Sequence, residues 1–214
     1  MRSLAIVFAA CLPLLASSQL PRVESVTTEK ADFAPGGTIR IEGSTGELNI
    51  EGWDQPSVEV TVTRYMWDKN AERAKRELDR VQVAKPVVSG TELTIVTTHK
   101  KSLGVHVDYS IRVPRDSKLI IRQGTGDVVV YDVGGDIDAT AKTGDILLQL
   151  PASGKYSIDA KNKATGDIYS DYEGKTHRTW VLMGDKLESE APAPAHHLHL
   201  RVRFGGITIQ KMAA

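Results

Sequence analysis

The phrase Thr-Gly-Asp followed by aliphatic residues occurs three times in the second half of the chain, as TGDVVV at residues 125–130, TGDILL at 143–148 and TGDI at 165–168. A shorter form, GDI, stands at 135–137. The glycines of these four phrases are separated by 9, 9 and 22 residues, and 22 is two units of 11. A unit of this length holds one strand of about five or six residues and a turn. The repeat therefore predicts a series of short strands joined by similar turns.

The repeated phrase has the chemistry of a tight turn that leads into a strand. Glycine reaches positive φ without a Cβ penalty, and Asp or Thr hydrogen-bonds the exposed turn backbone. A sandwich reverses direction at every turn, whereas a solenoid coils so that equivalent turns stack. Recurrence of the same phrase favours coiling, because stacked positions share one environment. We predict an all-β single domain, a β-solenoid-like stack of short strands, with a β-sandwich as the alternative.

The pattern extends toward both ends of the chain. TGELNI at residues 45–50 repeats the phrase near the start, and GGITI at 205–209 echoes it near the end. Apolar and polar residues alternate at 58–63 and at 105–113, which is the period of a half-buried strand. The β-repeat domain is therefore predicted to cover residues 33–211.

One segment has a helical period instead. Residues 69–81 contain no Gly, Pro or Thr, and their apolar members recur at helical spacing with charges between them. Asn70 or Asp68 is suited to cap the start. We predict one amphipathic surface helix at about 69–82, packed on its own sheet. Its apolar stripe consists of Ala71, Ala74, Leu78 and Val81.

The first eighteen residues have the pattern of an export signal. Arg2 supplies a positive start, residues 4–15 are apolar apart from one proline, and 16–18 are small. The apolar run is shorter than the ~20 residues that span a bilayer. We predict a signal peptide at 1–18 with cleavage before Gln19, and a periplasmic, outer-envelope or extracellular destination.

Two short segments and one cysteine complete the predicted organisation. Residues 19–32 are polar without a sustained period and are predicted to be a leader or linker, and 212–214 a C-terminal tail. Cys11 offers an alternative fate for the N-terminus, because residues 8–11 loosely resemble the lipobox of a lipid anchor. Leu12 follows the cysteine where a polar tether is expected, which favours simple cleavage.

Charge and cysteine content exclude several classes of protein. The chain has 27 basic and 27 acidic residues, so it lacks the basic surplus of a general nucleic-acid or anionic-lipid binder. Cys11 is the one cysteine, which rules out an internal disulfide and a thiolate zinc site. We predict no nucleic-acid partner and no transmembrane segment.

Two sets of side chains are candidate metal ligands. The repeat aspartates have the nine-residue spacing of calcium-binding solenoid repeats, but the glycine phrase of those repeats is missing, and a turn role is the preferred interpretation. His196, His197 and His199 form a histidine cluster, in which His197 and His199 alternate with apolar residues and so share one strand face. Since no carboxylate or third histidine is evident near them, a solvated face is preferred to a metal site. The repeat aspartates are Asp127, Asp136, Asp145 and Asp167.

The motifs of the common catalytic sites are missing from the sequence. There is no nucleophile elbow and no phosphate-binding glycine loop, and the mature chain has no cysteine. Trp53, Trp67 and Trp180 are candidate sugar-stacking platforms, although such residues more often close the edge of a β core. We therefore assign no catalytic residue, no metal ligand and no cofactor.

Three segments near the start resemble a known family. They are PGGTI at residues 35–39, TGELNIEGWD at 45–54 and VEV at 58–60, and the order of the later Thr-Gly-Asp phrases agrees with them. Together they resemble the bacterial DUF4097 family of putative adhesins, over about Phe33 to Lys211. The resemblance implies an exported protein of solenoid-like strand repeats, and it brings no catalytic residues.

The repeat and the missing catalytic groups lead to one preferred function. We expect a non-enzymatic secreted or envelope-associated protein with an adhesin, binding or scaffold role, whose partner is an unidentified envelope protein or glycan. A polysaccharide-active β-solenoid enzyme is the main alternative, since carboxylates can meet across stacked strands. A structural protein related to envelope stress is the third possibility.

Overall fold

The structure is a computed structural model that describes residues 20–81, 85–97, 104–179, 184–192 and 196–213. The predicted signal peptide at 1–18, with Cys11, lies outside the described residues, as does Trp180. In chain order the strands are β1 (Arg22–Asp32), β2 (Thr38–Thr45), β3 (Leu48–Trp53), β4 (Ser57–Trp67), β5 (Val87–Ser89), β6 (Glu92–Thr97), β7 (His106–Pro114), β8 (Lys118–Thr125), β9 (Val128–Tyr131), β10 (Ile137–Thr143), β11 (Ile146–Leu150), β12 (Tyr156–Thr165), β13 (Ile168–Ser170), β14 (Lys175–Thr179), β15 (Gly184–Ser189), β16 (His196–Phe204) and β17 (Ile207–Lys211), with helix α1 (Ala71–Arg80) between β4 and β5.

These strands form two sheets whose inner faces share one hydrophobic core. Sheet A has the spatial order β1-β4-β7-β3-β9-β11-β17-β13, and sheet B has the order β14-β15-β12-β16-β10-β8-β2-β6-β5. The prediction of an all-β single domain with one surface helix is confirmed.

Successive strands of the repeat alternate between the two sheets. β8 and β10 are parallel neighbours in sheet B, and β9 and β11 are parallel neighbours in sheet A. One full coil therefore runs from Gly126 to Gly144, a distance of 18 residues, and each nine-residue unit of the sequence is half a coil. The step of 22 residues to Gly166 is also one coil, widened by the connection between β11 and β12.

The last coil of the chain lies inside the stack. β16 pairs in parallel with both β10 and β12, and β17 pairs in parallel with both β11 and β13. The C-terminal strands are therefore inserted between two coils that precede them in sequence. The repeat predicted the coils but not this order.

Antiparallel strands extend the parallel ladders at both ends. β4 and β1 continue sheet A, and β15 and β14 continue sheet B. The leader or linker predicted at 19–32 is corrected here, because Arg22–Asp32 is the edge strand β1, paired along its length with β4. Most of its side chains are exposed or half-buried, Val26 among them, so the segment lacks the apolar face that signals a strand.

The core consists of aliphatic side chains in register across the coils. In sheet B, Ile41 lies beside Ile121, and Leu200 lies between Ala139 and Ala160. All five side chains are fully buried. Burying one large aliphatic side chain stabilises the fold by about 1.5–3 kcal/mol. In sheet A, the corresponding row of register partners with inward side chains consists of Ile50, Val130, Leu148 and Ile209.

The predicted surface helix is present as α1 and packs against β1 and β4; of its predicted apolar stripe, Ala74, Leu78 and Val81 are buried, whereas Ala71 is exposed. The Asn70 side chain caps it by accepting the Arg73 backbone N–H at 2.9 Å. Asp68 supports the cap by accepting the Asn70 N–H at 2.9 Å and by forming an ion pair with Arg73 at 2.7 Å. Ala74 and Leu78 are buried against Met66. Over the described residues, no helix has the length and hydropathy of a membrane span.

Candidate functional site

The repeated glycines stack along one edge of the molecule. Gly126, Gly144 and Gly205 have φ angles of +118°, +121° and +141°. A Cβ on Gly126 would lie 2.6 Å from the carbonyl carbon of Gly46, and a Cβ on Gly144 would lie 2.6 Å from that of Gly126. Only glycine permits this approach of successive turns, which explains why the phrase recurs.

The aspartates of the phrase join one coil to the next. Asp127 Oδ1 accepts the backbone N–H of Asp145 at 2.9 Å, and Asp145 Oδ1 accepts that of Gly206 at 2.7 Å. Asp136 has the same role at the opposite edge, where Oδ1 accepts the His197 N–H at 3.0 Å. These contacts agree with the turn interpretation. Among the described residues, no three His, Cys, Asp or Glu side chains lie close enough together to hold a metal ion.

The outer face of sheet B carries charged side chains in rows that run across the strands. We call Asp138, His199, Asp159 and Glu188 the acidic row, because they are register partners on β10, β16, β12 and β15. One step further along the strands lies a second row, which contains Arg122, Thr140, Arg201, Lys161 and Lys186.

The two rows neutralise each other through ion pairs. Arg122 binds both carboxylate oxygens of Asp138, at 2.9 and 2.6 Å. Arg201 forms an ion pair with Asp159 and also donates to the Asp159 backbone carbonyl at 2.7 Å. These guanidinium groups are therefore fixed by the neighbouring strand.

A groove of about 520 Å³ lies beside the acidic row, between the β12–β16 surface and the chain that follows β15. His199 Nδ1 lies 3.2 Å from Asp159 Oδ2 at its wall. We call this depression the histidine groove. Its polar lining residues are Ser157, Asp159, Glu188, Ser189, Glu190, His197 and His199.

The histidine groove revises the sequence interpretation of the histidine pair. His197 and His199 share the solvated face that their alternation predicted. The sequence did not reveal the carboxylate of Asp159, because it comes from a strand about forty residues earlier that lies next to β16 only in the folded stack. Only the order of the coils, which places β16 beside β12, would have predicted the contact between His199 and Asp159.

Asp159 is held in its charged form. Burial opposes ionisation, but the hydrogen bond and charge of Arg201, with the charges of His199 and Lys186, keep the pKa of its carboxyl below the usual range. The groove therefore presents an ionised carboxylate, paired with Arg201, beside imidazole and hydroxyl groups. Such a surface suits hydrogen bonding to a polar ligand.

Trp53 and Trp67 lie on sheet A, away from the histidine groove. Trp53 Nε1 donates to the Ser57 carbonyl at 2.8 Å, so it closes the edge of the core. Trp67 is 47% exposed and contacts Tyr65 edge-to-face at 5.3 Å between ring centroids. His106 stacks on Tyr65 at 5.2 Å and completes an aromatic cluster.

Comparisons with known proteins identify the fold. No protein-family model and no curated protein sequence matches the chain. A solved structure of a "putative cell adhesion protein" from Clostridium sporogenes ATCC 15579 is similar, with 15% identity, a TM-score of 0.51, and coverage of 88% of this chain and 100% of that one. The chain therefore shares that protein's fold.

Two further solved structures are more distant. A "putative adhesin" from Parabacteroides merdae ATCC 43184 has 13% identity and a TM-score of 0.34, with 68% of each chain covered. A "putative adhesin" from Bacteroides fragilis NCTC 9343 has 10% identity and a TM-score of 0.28, with 88% of this chain and 97% of that one covered. Since no family model matches, membership of the DUF4097 family stays a prediction.

Proposed function

We propose that this chain is an exported, envelope-associated binding protein without catalytic activity, and that it holds its ligand on the outer face of sheet B. The observation that carries the proposal is the histidine groove, about 520 Å³ in volume, set in a stack of in-register charged rows. The shared fold with a described "putative cell adhesion protein" supports a binding role.

The stack makes this face rigid before any ligand arrives. Every coil is joined to the next by parallel strand pairing, and the turns add backbone hydrogen bonds such as Gly126 N–H to the Thr143 carbonyl at 2.9 Å. A surface that is already ordered loses little conformational freedom on binding. A binding or scaffold role uses this property directly.

The proposed site of action is the cell envelope or the exterior. The supporting pattern is the predicted signal peptide at residues 1–18, with Cys11 as the alternative lipid anchor. Fusion of residues 1–18 to a reporter should direct it out of the cytoplasm of a bacterial host. A reporter that stays cytoplasmic contradicts the proposed location.

A glycan array of purified envelope polysaccharides tests the binding role. We expect the purified chain to bind one class of glycan on the array, and the double variant His197→Ala/His199→Ala to lose that signal at least tenfold. Tyr131→Ala, an exposed aromatic truncation on sheet A, is the matched control and should bind normally. Binding that survives the groove variant, or that the control also loses, contradicts the proposed site.

The groove also supports one alternative, a glycan-cleaving enzyme, because it brings Asp159, Glu188 and Glu190 together. Such an enzyme needs one carboxyl with a raised pKa to act as the acid, and the pKa of Asp159 is lowered instead. Glu188 forms an ion pair with Lys186 at 2.6 Å. Release of product from any array glycan, abolished in Glu190→Gln, would establish the enzyme instead.

A further inference from the structure

A third row of side chains on sheet B carries positive charge alone. Lys142, Arg203 and Lys163 follow the second row on the adjacent strands β10, β16 and β12, and all three are exposed. Lys142 and Arg203 lie on neighbouring strands about 4.8 Å apart, whereas Lys163 lies where the register between β12 and β16 shifts, at the same depression. We call them the cation row.

The cation row differs from the second row in having no acidic partner within the described parts of the chain. The carboxylates of Asp138 and Asp159 are neutralised by their ion pairs with Arg122 and Arg201. Like charges on adjacent strands repel one another unless an anion lies between them. An anion from outside the chain would relieve that repulsion.

The cation row borders a depression of about 220 Å³. No aspartate or glutamate is among the described residues that line it, and the side chains of Ala141 and Val202 beneath it are buried in the core. Phe204 follows Arg203 in the chain and is 40% exposed, with the Arg203 guanidinium 5.2 Å from its ring centroid. The site thus combines positive charge with an exposed aromatic ring.

From this combination we propose that the cation row binds the carboxylate of an acidic sugar in a glycan chain. Arg and Lys pair with the carboxylate, and the apolar C–H face of the sugar packs on Phe204. A long polyanion such as nucleic acid is disfavoured, since the chain has equal numbers of acidic and basic residues and the cation row is short.

This inference rests on the proposed binding function and names the chemistry of its ligand. The cation row lies at the opposite ends of β12 and β16 from the histidine groove, so one glycan chain lying along the strands can contact both. The two sites can nevertheless be tested separately, because they share no lining residue among those described.

The test is calorimetric titration of the purified chain with oligogalacturonate and with its neutral methyl ester. We expect oligogalacturonate to bind, the methyl ester to bind at least tenfold more weakly, and affinity for oligogalacturonate to fall with added salt. The triple variant Lys142→Gln/Arg203→Gln/Lys163→Gln should lose at least tenfold in affinity. The control Lys69→Gln/Lys75→Gln/Arg76→Gln removes the same charge from the region of helix α1 and should bind normally.

Several results would overturn the inference. Equal binding of the ester and the acid, no binding of either, or an equal loss in the helix control shows that the cation row does not read a carboxylate. Tighter binding to single-stranded DNA or to vesicles of anionic phospholipid assigns the row to another class of ligand.

If oligogalacturonate does not bind while the glycan array still shows groove-dependent binding, the inference is wrong and the proposed function stands. An unchanged melting temperature of the triple variant verifies that it is folded.

Discussion

Over the central coils, the outer faces of the two sheets carry different chemistry, although sheet A has the charged residues Glu51, Arg112 and Glu59 toward its β4 end. On sheet A, the row through β9, β11 and β17 consists of Val129, Leu147 and Thr208, and the next row of Tyr131, Gln149 and Gln210. None of these is charged. On sheet B, the rows through β10, β16 and β12 are almost entirely charged.

The inner faces show no such difference. Both sheets place buried aliphatic side chains at most inward positions of the central coils, for example Ile121 and Leu148. The interior and the turns therefore define the backbone, and each outer face is free to acquire its own chemistry. This difference is why we place the ligand on sheet B. It can be tested with substitutions in the turns and the core, which support both faces, and then with substitutions on each outer face alone.

The largest effect should come from the glycine edge, on which both faces depend. Gly144→Ala places a Cβ against the Gly126 carbonyl at a φ of +121°, so we expect a loss of about 3 kcal/mol or more in the free energy of unfolding. Gly134→Ala is the control, because a Cβ there meets nothing nearer than 3.8 Å. Urea unfolding measures both. Equal, small losses in the free energy of unfolding of the two variants would show that the glycine turns do not determine the stacking of the coils.

The next effect should come from Asn162, a buried amide under the same edge. Its Nδ2 donates to the carbonyls of Thr165, Gly166 and Gly205 at 2.7–2.9 Å. Asn162→Asp replaces these donors with an acceptor facing three carbonyl oxygens, so we expect about 3 kcal/mol of destabilisation. The same change at Asn49, on the outer face of sheet A, should cost less than about 1 kcal/mol. Urea unfolding measures both variants. Equal losses in the free energy of unfolding would contradict this prediction.

The sequence predicted the features that repeat and missed those that depend on the order of the coils. The phrase around Gly126 and the stripe through Leu78 gave the strands and the helix, since each is encoded locally. Sequence reasoning left out β1, whose side chains are mostly solvated. It also missed the Asp159–His199 contact, because nothing in the local pattern indicates that β16 inserts beside β12. The cation row escaped notice for the same reason.

A smaller, pH-dependent effect should be confined to sheet B. The lowered pKa of Asp159 means that its ion pairs stabilise the fold above the ordinary aspartate pKa of about 4, and that this stabilisation disappears as the pH falls through the lower, folded value. The melting temperature of Asp159→Asn should therefore lie below that of the wild type at pH 7 and approach it near pH 2.5. Asp68 and Asp171 also have lowered pKa values, so both proteins lose stability in acid and only their difference reports on Asp159.

The control for that experiment is Asp116→Asn, an exposed carboxylate in the turn before β8. Its melting temperature should follow that of the wild type at every pH. A gap between wild type and Asp159→Asn that stays constant from pH 7 to pH 2.5 would mean that Asp159 contributes through packing and not through charge.

The smallest effect should come from the outer face of sheet A. Leu147→Lys changes a half-buried side chain in the centre of that face, and we expect the free energy of unfolding to change by about 0.5 kcal/mol or less, since the lysine stem covers the same surface and its ammonium reaches water. Glycan binding should be unchanged, because the new charge lies on the other side of the core from the histidine groove and the cation row. Loss of binding in this folded variant would move the ligand to sheet A, where uncharged side chains and not ion pairs would have to recognise it.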